Sequence, residues 1–491
     1  MLQSPPNVIV IMADQQKATS SHLWGNTFCE TPALAALADD GVLFDCAITP
    51  HPLCVPARQS VWTGQFPHSH GGRRNETMMS PDAVHAFQVW RQAGYHNALI
   101  GKNHCFESAA DLALFDTWCE ISHGGITDRT QPSRGMQWFR PRTAIDAAHD
   151  ARRNMTMQTP RFSYATNDAP LEDCSTGLVA GQTVRFLEQH QDEPFALWVS
   201  FPDPHEPWVC PQSYADMFPA NRIQTPPWRA GEFDDPQTVP ERNRILHQML
   251  GITEDPIEDV LALQGIYYGM VRFLDDGLAQ ITAALDRLGL RDNTIVVYCS
   301  DHGDFMGEHG MQCKGGVFYD CLTRVPLVIS WPGQVATGVR EDSPVNLIDI
   351  VPTVLGLQGL DVPPSMHGQR LPSVTAAPPR DVTFSEYGAG GPAFTMADLQ
   401  RMAQPFGRDT LIESLRWREA EGRRKMARTR EWKYVHDPMG DLDELYDLRK
   451  DPWELSNVAH LKEHVDVVAD MRHHLADWSI RTEDAHAVPM P

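Results

Sequence analysis

The chain has 491 residues, 42% of them hydrophobic and 21% charged, and a formal net charge of −23. That length allows two or three domains at about 100–200 residues each, and the composition is that of a globular protein. The acidic excess argues against nucleic acid or an anionic membrane as partner, because both need clustered Lys and Arg, and no apolar run approaches the roughly 18–20 residues of a membrane span.

In chain order, Val8–Ala13 reads as a buried strand stopping at Asp14. It is too short for a secretory signal and has no basic segment before it, so a cytoplasmic location is expected. Thr31–Asp40 reads as a helix opening on Thr-Pro, Val42–Ile48 as a second strand, and Ala83–Gly94 as a helix leading into Ala98–Ile100. A helix over Thr176–Gln189, a strand at Phe195–Phe201, a long helix near Ile257–Leu288 and strands at Thr294–Cys299 and Val325–Ile329 follow. Strands spaced by helices imply an α/β fold, a largely parallel central sheet covered by helices on both faces. Ligands of such sheets gather at the carboxyl ends of the strands.

Residues 202–256, rich in Pro and polar side chains, read as an excursion over the rim of that sheet. The Pro, Ala, Ser and Thr stretch Leu371–Pro379 reads as a linker between a catalytic domain, 1–372, and a C-terminal α+β subdomain, 380–491. In the latter, Lys425–His436 and Leu442–Leu448 read as short antiparallel strands and Leu461–Ser479 as a closing helix. The ten cysteines stand singly with no zinc-like spacing, so reduced core thiols are expected. There is no internal repeat.

The sharpest local feature is Leu53-Cys54-Val55-Pro56-Ala57-Arg58, running on to Thr63-Gly64. Pro56 suits the first turn of a helix, which puts Cys54 just before a helix N-terminus, where free amides favour negative charge. The residues alone leave two readings open: a thiolate nucleophile of lowered pKa, or a buried structural cysteine. Cys-x-Pro-x-Arg trailing into Thr-Gly resembles the signature of the sulfatase family, in which this cysteine is oxidised to formylglycine. Val55 and Ala57 depart from the family's commonest residues but leave the Cys, Pro and Arg intact. The resemblance continues through Val8–Gln15, Gly41–Phe44, Tyr267–Met270 and Asp275-Asp276. Beyond these it takes in Ser300-Asp301-His302-Gly303-Asp304, Gly307–Gly310, Lys433-Tyr434 and Glu444–Leu448. Asp14-Gln15 and Asp301-His302, where many sulfatases carry two adjacent aspartates and an Asn, bring the pattern nearest to choline sulfatases and phosphonate monoester hydrolases.

Asp14 and Asp301 each end a strand, so central positions for both strands would bring the two carboxylates to one rim. Oxygen donors suit a hard divalent cation; the bland alternatives are turn caps for the aspartates and a packed core position for His302. The resemblance implies one divalent metal ion held by Asp14, Gln15, Asp301 and His302. Calcium is the first expectation, with manganese or magnesium as alternatives. Glu308 and His309 read equally as supporting groups or as a surface turn.

A sulfate ester presents anionic oxygens, so cations are needed around it, and Arg58, Lys102 and Lys314 are the candidates. Lys102-Asn103-His104 resembles the family's Gly-Lys-x-His element, and Pro204-His205-Glu206-Pro207 its His-x-Pro element. The resemblance implies that hydrated formylglycine, derived from Cys54, attacks sulfur with Arg58 beside it. His205 or Lys314 would protonate the departing oxygen, and His104 would take the proton that frees sulfate. The implied partners are a small-molecule sulfate ester and a formylglycine-generating enzyme during maturation, with no nucleic acid and no membrane; a homo-oligomer stays compatible with the sequence.

Asn75 and Glu386 resemble positions lining the choline sulfatase pocket, which would suit a cationic ester. Arg129, Arg134, Arg140, Arg142, Arg152 and Arg153, with Trp138 and Phe139, read either as a basic rim or as a solvated surface. Three alternatives stand beside the sulfatase reading: a phosphonate or phosphate diester hydrolase of the same fold, disfavoured by His104; a non-catalytic binding protein; and a phosphatase using the Cys54 thiol directly.

Overall fold

The computed structural model describes residues 5–126, 132–155, 163–224, 227–402 and 421–483. The central sheet contains β1 (Asn7–Ala13), β2 (Gly41–Phe44), β3 (His96–Gly101), β4 (Thr117–Ser122), β5 (Gly125–Ile126), β6 (Phe195–Ser200), β7 (Thr294–Ser300), β8 (Leu327–Ser330) and β9 (Val339–Glu341). Their spatial order is β9-β2-β8-β7-β1-β6-β3-β4-β5. The five middle strands, β7 to β4, run parallel, whereas β8 is antiparallel to both its neighbours and β5 closes the far edge antiparallel to β4. The largely parallel sheet is therefore as expected.

Continuous apolar runs are what a sheet covered on both faces requires. In β1 every residue is buried: Val8, Val10 and Met12 enter one core, Ile9, Ile11 and Ala13 the other. On the first face lies α1 (Cys54–Thr63), which contributes Val61 and Trp62. On the second lie α2 (Ser175–Gln189) and the later half of α3 (Ile257–Arg287), through Leu178, Phe186, Leu274 and Leu278. The earlier half of α3 packs instead with Trp208, Ile245, Met249 and Phe305. Residues from the 202–256 stretch thus share a third core with α3, while His205 and Glu206 near its start reach the rim.

The C-terminal sheet is β10 (Thr383–Tyr387), β11 (Arg424–Arg428), β12 (Trp432–His436) and β13 (Glu444–Asp447), antiparallel throughout. Helix α4 (Val465–Thr482) covers it, placing Met471, Leu475 and Trp478 against Ala427, Tyr434 and Leu445. Strand β10 was not foreseen. It ties this sheet to the loop before α1, since the Glu386 amide donates to the Pro50 carbonyl at 2.9 Å.

Two expected strands each divide. Val42–Ile48 becomes β2 and a separate pair of residues, Ala47–Ile48, and Val325–Ile329 becomes Arg324–Val325 and β8. The detached pieces form a small sheet with Val345–Asn346. Pro326 stands at the second break and has no N–H to give to a ladder. Helix α1 begins at Cys54 itself, with Leu53 as N-cap, so the cysteine occupies the first helical position rather than the one before it. All ten cysteines are free and buried. Among the described residues, no helix is long and apolar enough to cross a membrane.

Candidate active site

Strand pairing builds the site. Ala13 of β1 pairs with Ser300 of β7, so the next residues, Asp14 and Asp301, emerge side by side at the carboxyl rim. Gly101 of β3 pairs with Ser200 of β6, and the chain turns there to deliver Lys102. Gly101 has φ +118°, and a Cβ on it would lie 1.9 Å from the Ser200 carbonyl oxygen, so only glycine permits this approach. Opposite the rim, the first turn of α1 presents Cys54 and, one turn on, Arg58; residues four apart share a helix face. The Asn75 side chain accepts from the Val55 amide at 3.1 Å and so satisfies one free donor of that first turn.

These elements converge on one buried cluster. Cys54 Sγ lies 3.0 Å from His302 Nε2 and 3.6 Å from Asp14 Oδ1. The ligating atoms of Asp14, Cys54, Asp301 and His302 all fall within 4.8 Å of one another. Arg58 donates from Nε to Asp301 at 2.8 Å and from Nη1 to Ser200 Oγ at 2.8 Å and the Lys102 carbonyl at 3.1 Å. Its Nη2 stands 3.7 Å from Asp14. Gln15, at φ +69°, donates its amide to Asp301 at 3.0 Å, while its side-chain oxygen takes a hydrogen bond from Lys314. Lys102 is paired with Asp14. Three cations and two carboxylates thus meet around Cys54.

The charges answer to this crowding. Burial opposes ionisation of Asp14, yet Lys102 and Arg58 beside it hold its carboxyl well below the usual range. Burial, with Asp14 next in effect, pushes the Cys54 thiol up to about 12, the opposite of the lowered pKa that a helix N-terminus alone suggests. His104, in a left-handed conformation at φ +49°, has a buried Nδ1 without a hydrogen-bond partner. Burial and then Lys102 and Arg58 lower its pKa well below 6.5, so it stands as a neutral base. His205 accepts at Nε2 from Lys314 at 2.7 Å, and burial together with that ammonium likewise depresses its pKa.

Two site residues escaped the sequence. His123, just past β4, has Nε2 3.0 Å from Lys102 Nζ and 3.6 Å from Asp14, and its ring stacks on His205 with centroids 4.0 Å apart. Glu206 accepts from Gln15 Nε2 at 2.7 Å. A lone His in Ser-His-Gly belongs to no motif, and Glu206 was quoted only as part of the His205 element.

Other expected groups lie outside the cluster. Glu308 is buried but spent on Lys17, and His309 meets Glu232 at 2.5 Å and stacks on Tyr319, so neither is a surface turn. Glu386 is paired with Lys425 and accepts from His68 Nδ1 at 3.0 Å. Burial would raise its pKa, but Lys425 and His68 hold it well below 4.5. The arginine series forms no free rim. Arg152 meets Asp203 at 2.7 Å, Arg140 meets Asp173 at 2.6 Å, Arg142 and Arg153 both meet Asp146, and Arg134 donates to main-chain carbonyls. Arg129 lies outside the described residues.

This arrangement can be set against known proteins. The family model described as Sulfatase matches residues 6–360. The chain belongs to the sulfatase family. Similar proteins include an arylsulfatase of Clostridium perfringens, 27% identical over 486 residues that span 95% of this chain and 93% of that one. A choline-sulfatase of Rhizobium meliloti is 27% identical over 476 residues, spanning 94% and 83%. Among solved structures, the phosphonate monoester hydrolase of Agrobacterium radiobacter superposes with a TM-score of 0.75 at 26% identity, covering 97% of this chain and 96% of that one. In this sulfatase-family chain, Cys54 of the signature sits at the centre of the rim cluster, between Asp14 and His302.

Proposed function

We propose that this sulfatase-family enzyme hydrolyses a sulfate ester at residue 54, with Cys54 converted to formylglycine by a maturation enzyme and one divalent cation beside it. The observation that carries the reading is Cys54 Sγ at 3.0 Å from His302 and 3.6 Å from Asp14, inside a ring of three cations. The donor set fits a divalent cation. Asp14, Asp301 and the Gln15 side-chain oxygen are hard ligands, His302 adds a nitrogen, and Lys102 and Lys314 already place positive charge on Asp14 and Gln15. Three oxygens favour calcium, with magnesium as an alternative, and the imidazole nitrogen admits manganese.

When bound, the cation and the aldehyde of formylglycine supply an acidified hydroxyl nucleophile at neutral pH, which a thiol held up to about 12 does not. The chain's own residues do the rest. Arg58, locked by Asp301, Ser200 and the Lys102 carbonyl, fixes a positive charge beside residue 54. Lys102 and Lys314 offset the charge on the sulfate oxygens. Lys314, whose Nζ donates one N–H to His205 Nε2 at 2.7 Å and is held there by it, gives another of its protons to the departing alcohol oxygen. His104, neutral and with Nδ1 unpartnered, accepts the proton whose loss releases sulfate.

Glu386 is already engaged by Lys425 and His68, so a quaternary ammonium finds no free carboxylate there, which counts against a choline ester. The similarity to a phosphonate monoester hydrolase keeps phosphonate and phosphate diesters as the second reading. The test is turnover of 4-nitrophenyl sulfate by protein co-produced with a formylglycine-generating enzyme. Activity lost in Cys54→Ala without a change in melting temperature is expected; an equally active Cys54→Ala protein overturns the reading.

A further inference from the structure

The rim holds two lysine–histidine pairs that mirror each other, and the histidine of only one of them has a part in the chemistry above. In the first, His205 Nδ1 lies 2.6 Å from the Glu206 carbonyl, which fixes its proton there and leaves Nε2 to accept from Lys314 at 2.7 Å. In the second, His123 Nδ1 lies 3.1 Å from the Pro202 carbonyl, and Nε2 accepts from Lys102 Nζ at 3.0 Å. A carbonyl partner at Nδ1 decides the tautomer of each ring. The two rings stack at 4.0 Å with 22° between their planes.

We propose that His123 is a positioning residue for sulfate-ester cleavage: its Nε2 lone pair directs the Lys102 ammonium toward the transferring group, and the stack on His205 holds the ring in place. Lys102 has four single bonds to rotate about and would otherwise collapse fully onto Asp14, with which it is already paired. His123 supplies the second acceptor that draws it out. The donor atoms of Asp14, His123 and His205 also lie within 4.8 Å of one another, as a metal site would need. Each imidazole lone pair is, however, directed at an ammonium, which leaves a second cation only Asp14, already assigned to the metal beside residue 54. The inference rests on the sulfatase reading, which gives Lys102 its role.

The experiment compares wild type, His123→Phe, His123→Gln, Lys102→Ala and the His123→Phe/Lys102→Ala double variant on 4-nitrophenyl sulfate and phenyl sulfate. Phenylalanine keeps a stacking ring and removes the acceptor, whereas the glutamine amide restores an acceptor and a donor without the ring. His123→Phe should lower kcat/KM about tenfold, the effect of one lost hydrogen bond to a charged group. The loss should be equal on both esters, because Lys102 acts on the sulfate and not on the leaving group. His123→Gln should recover most of it, and in the Lys102→Ala background His123→Phe should cost nothing further. Additive losses, or a loss greater on phenyl sulfate, overturn the proposal, as does a folded His123→Gln protein no better than His123→Phe. A wild-type enzyme inactive on both esters would overturn the sulfatase reading instead.

Discussion

Two of the regions that bury charge in this molecule are organised differently. Around the C-terminal sheet, cations are matched by carboxylates: Arg242, on the helix Glu241–Leu250, meets Asp437 at 2.8 Å and pairs with Glu444, and Arg424 meets Glu421 and Asp437, each at 2.8 Å. Lys433 likewise lies 2.6 Å from Asp320 and 2.5 Å from Glu454. At the rim of the parallel sheet, Arg58, Lys102 and Lys314 face only Asp14 and Asp301 at close range, with Glu206 3.7 Å from Lys314. A matched network holds a fold together. The rim is unmatched in that its lysines spend their other contacts on the neutral Gln15, His123 and His205, which leaves them to face a ligand, here the anionic oxygens of a sulfate ester.

The largest effect should come from the unmatched region. His104→Ala is expected to lower steady-state turnover of an aryl sulfate about 10²- to 10⁴-fold, the usual range for a lost general base. It should still release a burst of alcohol close to one per enzyme, because His104 acts after the ester bond is cut. Rapid-quench kinetics reads this directly; loss of the burst together with turnover would make His104 a group needed earlier. In the matched region the loss is of stability. Arg242→Ala leaves Asp437 and Glu444 buried without their cation and should destabilise by about 3–5 kcal/mol. The remaining folded fraction should keep its kcat. A fall in kcat without a fall in melting temperature would break the distinction between the regions.

A smaller effect concerns pH. Burial holds His51 neutral, lowering it to about 3, and half-buried His70 is lowered to about 3 by the same cause. A depressed folded pKa contributes stability that is fully present above the unfolded value of about 6.5 and is lost as pH falls from there through about 3. Denaturant titrations between pH 7 and pH 4 should show a loss on the order of 1–3 kcal/mol, reduced in a folded His51→Phe variant. A stability that is flat over this window would contradict the burial of these two rings as neutral groups.

The same division governs what was legible in the sequence. Four of the five parallel strands, β1, β3, β6 and β7, were readable because a sheet buried on both faces demands unbroken apolar runs, whereas β4 was not foreseen; Asp14 and Asp301 stood out as carboxylates abruptly ending such runs. Cys54 and Arg58 were carried by a motif, although the start of α1 came one residue earlier than Pro56 suggested. What escaped depends on partners far apart in the chain. His123 gains meaning only beside Lys102 and His205, and Glu386 changes meaning once Lys425, its neighbour across β10 and β11, neutralises it. The arginines that read as a rim are spent on aspartates 30 or more positions away in two cases, Arg140 with Asp173 and Arg152 with Asp203. The divided strands turn on tertiary pairing, with Pro326 the one local sign of it.

The claim that the rim serves sulfate chemistry at a modified residue 54 is tested most directly by mass analysis of the tryptic peptide containing Cys54, paired with kcat/KM for 4-nitrophenyl sulfate and bis(4-nitrophenyl) phosphate on the same preparation. The account predicts an aldehyde in place of the thiol, activity that rises with the converted fraction, and a preference for the sulfate ester. Full activity from protein whose residue 54 is entirely cysteine would contradict it.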